Sequence, residues 1–152
     1  MKDLTEEAQT DRKAWMGLMA KAPAEALLSA FDAAGLAQDF TWLRVPETGG
    51  VMVRGRAGAT GAAFNLGEMT VTRCALKLAD GRVGHAVVQG RDRRKAEVAA
   101  LCDALMQGVE AGAVRAAVLD PLAAAAAKRS GTRAAKAAAT KVDFFTMVRG
   151  DN

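Results

Sequence analysis

The sequence predicts an α+β fold, and three observations predict it. Apolar residues recur at helical spacing near the start, as in Leu27, Leu28 and Phe31. In the middle the period falls to two, with Thr70, Thr72, Cys74, Leu76 and Leu78 alternating against Arg73 and Lys77. Helical spacing returns from Asp92 onward. Strands grouped between two helical regions, rather than alternating with helices one by one, point to a small antiparallel sheet flanked by helices.

Taken in order, Leu4 to Ala20 reads as a helix with the apolar stripe Leu4, Ala8, Trp15, Leu18 and Met19, interrupted around Asp11 to Lys13. Pro23 stands where a first helical residue belongs and Gly35 just past Ala34, which predicts a second helix and an N-terminal helical hairpin. Phe40 to Val45 and Val51 to Arg56 are short strand-like runs divided by the turn cluster Pro46 to Gly50, and Phe64 to Leu66 is a further run. Thr70 to Ala79 is a half-buried strand. Asp80-Gly81 then signals a two-residue hairpin with positive φ at both positions. Arg82 to Gln89 returns with Val83, His85 and Val87 on one face, so about four antiparallel strands are expected. Asp92 suits the N-cap of a helix running to about Val109, with Val98, Leu101, Cys102, Leu105, Met106 and Val109 as its stripe. The Ala-rich segment at about 112–140 reads as helical, weakly packed and split by Gly131. The chain ends in a strand-like, apolar segment, Val142 to Val148, that holds two of its five Phe residues.

A length of 152 residues fits a single domain spanning 1–152. No run approaches the ~20 apolar residues of a membrane span. The first twenty residues carry charge throughout and so hold no secretory h-region. A cytoplasmic protein is the expectation. Reactive side chains are scarce: one His (His85), two Cys (Cys74 and Cys102), two Ser (Ser29 and Ser130) and no Tyr. Any nucleophilic triad would have to use His85 as its base. Three Cys and His residues without metal-site spacing argue against structural zinc, and two thiols against an iron–sulfur cluster held by this chain alone. The cysteines read as small buried hydrophobes. Composition thus argues against a self-contained enzyme. The net charge of +4 divides unevenly, with 4 basic against 7 acidic residues in 1–40 and a basic excess thereafter, which suits internal docking or oppositely charged partner surfaces.

Two places stand out as anion- or partner-binding candidates. Arg93, Arg94 and Lys95, with Arg91 just ahead of the cap, crowd cations at a helix start, where each in the first turn opposes the macrodipole by roughly 0.3–1 kcal/mol when exposed. An acidic partner or a phosphate at that end would relieve the conflict, and a merely solvated turn would absorb it. The glycine-spaced run Gly55 to Gly61, with Arg54 and Arg56, is neither a Walker A loop nor a dinucleotide fingerprint. It reads as a bulged connection, or as an amide cradle for an anion. Arg129, Arg133 and Lys136 share one helix face, but no aromatic platform accompanies them, so nucleic acid is not the expected partner.

Several short blocks recur together in a pattern: Trp15-Met16, Glu47-Thr48-Gly49, Gly55-Arg56 with Thr60-Gly61, Phe64 to Glu68, Thr70 to Arg73, Gly90-Arg91-Asp92 with Ala96-Glu97, Asp103 to Gln107, and Val142 to Asp151. From about Arg12 to Asp151 the chain resembles the PhnG family, the small subunit of the bacterial carbon–phosphorus lyase machinery. The resemblance implies a core complex with PhnH, PhnI and PhnJ, aided by the ATP-binding PhnL. In its first committed step a phosphonate displaces adenine from MgATP, giving ribose 1-phosphonate 5-triphosphate. It also implies that the iron–sulfur cluster lies on PhnJ and that this chain binds no cofactor of its own. The resemblance transfers no catalytic residue. Phe144, Phe145 and Met147, with Arg149 beside them, are the expected intersubunit anchors. A free-standing binding module for a phosphorylated ligand or nucleic acid is the alternative.

Overall fold

The computed structural model describes residues 2–142, with side chains from residue 7 onward. The terminal run with Phe144, Phe145, Met147 and Arg149 lies outside the described residues.

The element order is α1 (Lys2–Lys21), α2 (Ala24–Ala34), β1 (Phe40–Arg56), β2 (Ala63–Leu78), β3 (Val83–Gln89), α3 (Arg93–Leu105), α4 (Ala111–Val114) and α5 (Asp120–Ala139). The strands form one antiparallel sheet in the order β1-β2-β3. The α+β class and its flanking helices agree with expectation, but the described sheet has three strands rather than about four. Pro46 does not end a strand. β1 lies at the sheet edge, and Pro46 falls within a register shift between Arg44, opposite Ala75, and Glu47, opposite Arg73. An edge bulge has no use for the missing N–H. The run Phe64 to Leu66 likewise joins Thr70 to Leu78 in one strand, because a bulge at Leu66 keeps the pairing in step between Val53–Gly67 and Arg54–Asn65.

The turn after β2 also departs from expectation. Only Gly81 has positive φ, at 93°. Its N–H donates to the Leu78 carbonyl at 3.0 Å, and the Leu78 N–H donates to the Arg82 carbonyl at 2.9 Å. This is a type I turn closed by a left-handed glycine, the usual three-residue hairpin.

One face of the sheet carries Thr72, Cys74, Leu76, Leu78, Gly84, Ala86 and Val88, all buried against α3. That helix is buried almost all round, from Lys95 and Ala96 through Val98 to Leu105. Its far side is covered by α1 and α2, which contribute Met19, Leu27 and Phe31, and by Val114, Val118 and Leu122 from the following helical region. The result is three layers, with α3 in the middle. Alanines at 96, 99, 100 and 104 let both neighbours approach closely. Gly84 shows how closely: a Cβ there would stand 1.9 Å from the Ala100 carbonyl oxygen.

α3 ends at Leu105 rather than near Val109, and Val109 is 97% exposed. Gly131 does not split the last helix, which runs unbroken to Ala139. Pro121 is accommodated by a widened π-turn over Arg115–Leu119, where the Asp120 N–H reaches back five residues to the Arg115 carbonyl. Beyond Leu122, α5 buries no side chain, as its Ala-rich composition implied.

Gly84→Ala is expected to destabilise the chain by about 3 kcal/mol, because backbone stands in the path of the added methyl. Urea unfolding of wild type and variant measures it.

Candidate functional site

Two polar clusters organise the described residues, and sequence reasoning had singled out neither. The first centres on Asp103, whose side chain is 0% exposed in the last turn of α3. Arg12 from α1 grips it with both arms of its guanidinium, Nε to Oδ1 at 3.1 Å and Nη2 to Oδ2 at 2.7 Å. Trp15 Nε1 donates to Oδ1 at 2.9 Å, and the backbone N–H of His85 donates to Oδ2 at 2.9 Å. The carboxylate is therefore fully engaged, and the hydrogen bond to it raises the Arg12 pKa above its ordinary value. The charged interruption of the first helical stripe was the available signal, since Arg12 stands where a core residue would. Its partner, some ninety positions away, left no mark in local spacing.

The second cluster lies just beyond Asp103, at the C-terminal end of the same helix. Arg82 Nε binds Asp80 Oδ2 at 2.6 Å, while its two terminal nitrogens hold Glu110 at 2.7 and 3.2 Å. The guanidinium covers Gly108, where a Cβ would meet Nη1 at 1.9 Å. It thus sits over the open carbonyls at the helix C-terminus, a favoured place for a cation. The hydrogen bonds from Arg82 hold Glu110 down to about 2, helped by its own backbone N–H and by Gln38. An open cavity of about 540 Å³ adjoins this cluster, lined by Gln38, Asp39, Asp80, Arg82 and Glu110 among others. Among the described residues its one lining cation, Arg82, is already shared by two carboxylates.

The basic helix start resolves into separate roles. Asp92 is the N-cap, accepting from the Lys95 N–H at 2.9 Å. Lys95 is buried and turns away, its ammonium donating to the Ala20 carbonyl at 2.8 Å, at the C-terminal end of α1. Burial lowers its pKa. Arg94 pairs with Glu97 and, at 3.9 Å, with Asp32. Arg91 and Arg93 are exposed. Arg54 and Arg56 lie elsewhere, near the outer end of the β1–β2 hairpin, where Arg56 donates to the Gly61 carbonyl at 3.0 Å across the tip. Thr70, whose carbonyl accepts from the Gly90 N–H, is seven residues along β2 from Ala63, the partner of Arg56. That separation is roughly 20 Å. The fold therefore does not gather the five arginines into one site.

His85 is exposed on the edge strand. Cys74 and Cys102 are buried and free, and burial pushes both thiols up to about 12. Among the described residues, no group of three or more His, Cys, Asp or Glu side chains is placed to hold a metal ion.

Fold and polar clusters together define a small α+β protein whose strongest electrostatic contacts are spent internally. Residues 10–150 match the family described as phosphonate metabolism protein PhnG. Over 141 residues the chain is 43% identical to the alpha-D-ribose 1-methylphosphonate 5-triphosphate synthase subunit PhnG of Rhizobium meliloti (strain 1021), covering 93% of this chain and 90% of that relative. The chain belongs to the PhnG family.

Asp103→Asn is expected to cost about 3 kcal/mol, toward the low end for a broken buried pair because Arg12 is partly solvated; chemical denaturation measures it. Glu110 supplies a pH dependence of known sign. Its folded pKa of about 2 lies below the ordinary 4.5, so its contribution is complete above pH 4.5 and fades as pH falls toward 2. The gap in Tm between wild type and Glu110→Gln should hold steady down to pH 4.5 and narrow below it.

Proposed function

We propose that this chain is an accessory subunit of the synthase that converts MgATP and a phosphonate to ribose 1-phosphonate 5-triphosphate and adenine. It works in the cytoplasm beside PhnI-, PhnH- and PhnJ-like subunits and a PhnL-like ATP-binding protein. The observation that carries this reading is the 43% identity, over 93% of the chain, to a relative named as a subunit of that synthase.

The chemistry of the chain supports an accessory role. Asp103 is saturated by four donors and Arg82 by two carboxylates. Neither is placed to serve as a free acid or base. The thiols are buried and protonated at neutral pH, which removes them as nucleophiles. In this reading the reacting groups, the bound MgATP and the iron–sulfur cluster belong to the partners. No helix of the described residues is long and apolar enough to cross a membrane, as suits a subunit of a metabolic complex.

Adenine release from MgATP and methylphosphonate, by PhnI-, PhnH- and PhnL-like proteins with and without this chain, tests the reading. Release should fall at least tenfold when the chain is omitted. An unchanged rate would overturn the proposal.

A further inference from the structure

Beyond the Val71–Gln89 pair, β3 stops and the other two strands run on alone. Gly50 to Arg56 and Ala63 to Thr70 form a two-stranded arm about 25 Å long, with most of its residues exposed. An isolated two-stranded hairpin is marginal in water, so such an arm calls for a surface to lie on.

The register separates its faces. Met52 opposite Glu68, Arg54 opposite Asn65 and Arg56 opposite Ala63 lie on the face that continues toward α3, and that face is largely polar. Val51 opposite Met69, Val53 opposite Gly67 and Phe64 opposite Gly55 lie on the other. The bulge adds Leu66 to this second face, since a Cβ on Gly55 would touch both Leu66 and Phe64. The outer face is therefore an apolar strip, with Phe64 46% and Leu66 67% exposed. Bare glycines at 55 and 67 leave room for a partner to approach the backbone.

The same face changes character at the root of the arm. Arg44 and Arg73 share it with Glu47, both leaning on that one carboxylate at 3.4 and 3.5 Å, and Lys77 follows four residues further along β2. The root thus keeps a net positive charge. An apolar strip ending in a cationic patch fits a surface with aliphatic side chains followed by carboxylates. The arm by itself is too small to hold a second copy. One face of the arm covers about 250 Å², well short of the ~800 Å² each partner gives up in a stable pair. As an outrigger of a larger contact in a multisubunit assembly, that area is ample.

We propose that the outer face of this arm is a docking surface for another subunit of the synthase, one that presents an aliphatic strip flanked by carboxylates. The inference rests on the reading of this chain as a synthase subunit.

Co-expression with the PhnI-, PhnH- and PhnJ-like proteins tests it, using two variants of the full chain. One carries Phe64→Asp and Leu66→Asp. In the other, residues 52–68 are replaced by Asn-Gly, closing the Val51–Met69 pair as a tight hairpin. Alone, both should keep the wild-type Tm, because the altered residues lie outside the core. In co-expression both should lose at least tenfold of the co-purifying partner, and Lys77→Glu several-fold. Co-purification of wild type but undiminished co-purification of both arm variants would overturn the docking surface and leave the subunit reading intact. Failure of the wild-type chain itself to co-purify would overturn both. A wild-type dimer in light scattering, abolished by the arm variants while partner binding stayed whole, would assign the face to self-association and overturn the proposal.

Discussion

The architecture depends on one buried charge. Asp103 stands in the last turn of α3, buried among the apolar run Val98 to Leu105, where an unpaired carboxylate would be ruinous. It is tolerable only because α1 brings Arg12 and Trp15 to it while β3 offers the His85 N–H. Three elements distant in sequence must therefore be in place together. The contact also marks the sheet edge: at His85 the outward N–H of the edge strand is already taken, so a fourth strand would meet a filled position there. A single carboxylate thus ties the N-terminal helix to the edge strand.

Side chains from elsewhere then finish the helix ends. Lys95 leaves its own helix start, where its charge is unwelcome, and caps the far end of α1, where it is favourable. Arg82 does the same service for α3, with Gly108 giving it room. Charges that oppose a dipole in the linear sequence are distributed to helix termini that want them. The remaining conflict is confined to Arg91 and Arg93 at the surface.

Fold class, the helix pair around Pro23, the N-cap at Asp92 and the alternation in β2 could be read from local periodicity, because each is a local property. What could not be read was non-local. Pro46 and its neighbouring glycines carry every mark of a turn, yet edge position and a bulge let the strand pass through them. Gly131 carries the mark of a break, but a solvated Ala-rich helix absorbs one glycine at a cost of only ~1 kcal/mol. The Arg12–Asp103 pair shows in the sequence only as a gap in an apolar stripe. Cations at the start of α3 were visible as a conflict. That Lys95 resolves it against another helix depends on tertiary placement that spacing does not encode.

The middle layer is built largely from alanines and other small side chains, while Leu43, Val45, Met52, Phe64 and Leu66 stand outside. The usual allotment of large residues to the interior and small ones to the surface is partly inverted. Heat capacity follows apolar area, so this chain carries a thermodynamic signature divided in two. One share of the hydration change belongs to folding. The other stays unclaimed until the exposed side chains are covered, and it appears as a negative heat-capacity change of association. For such a chain the hydrophobic effect acts in two instalments, with the monomer collecting only the first.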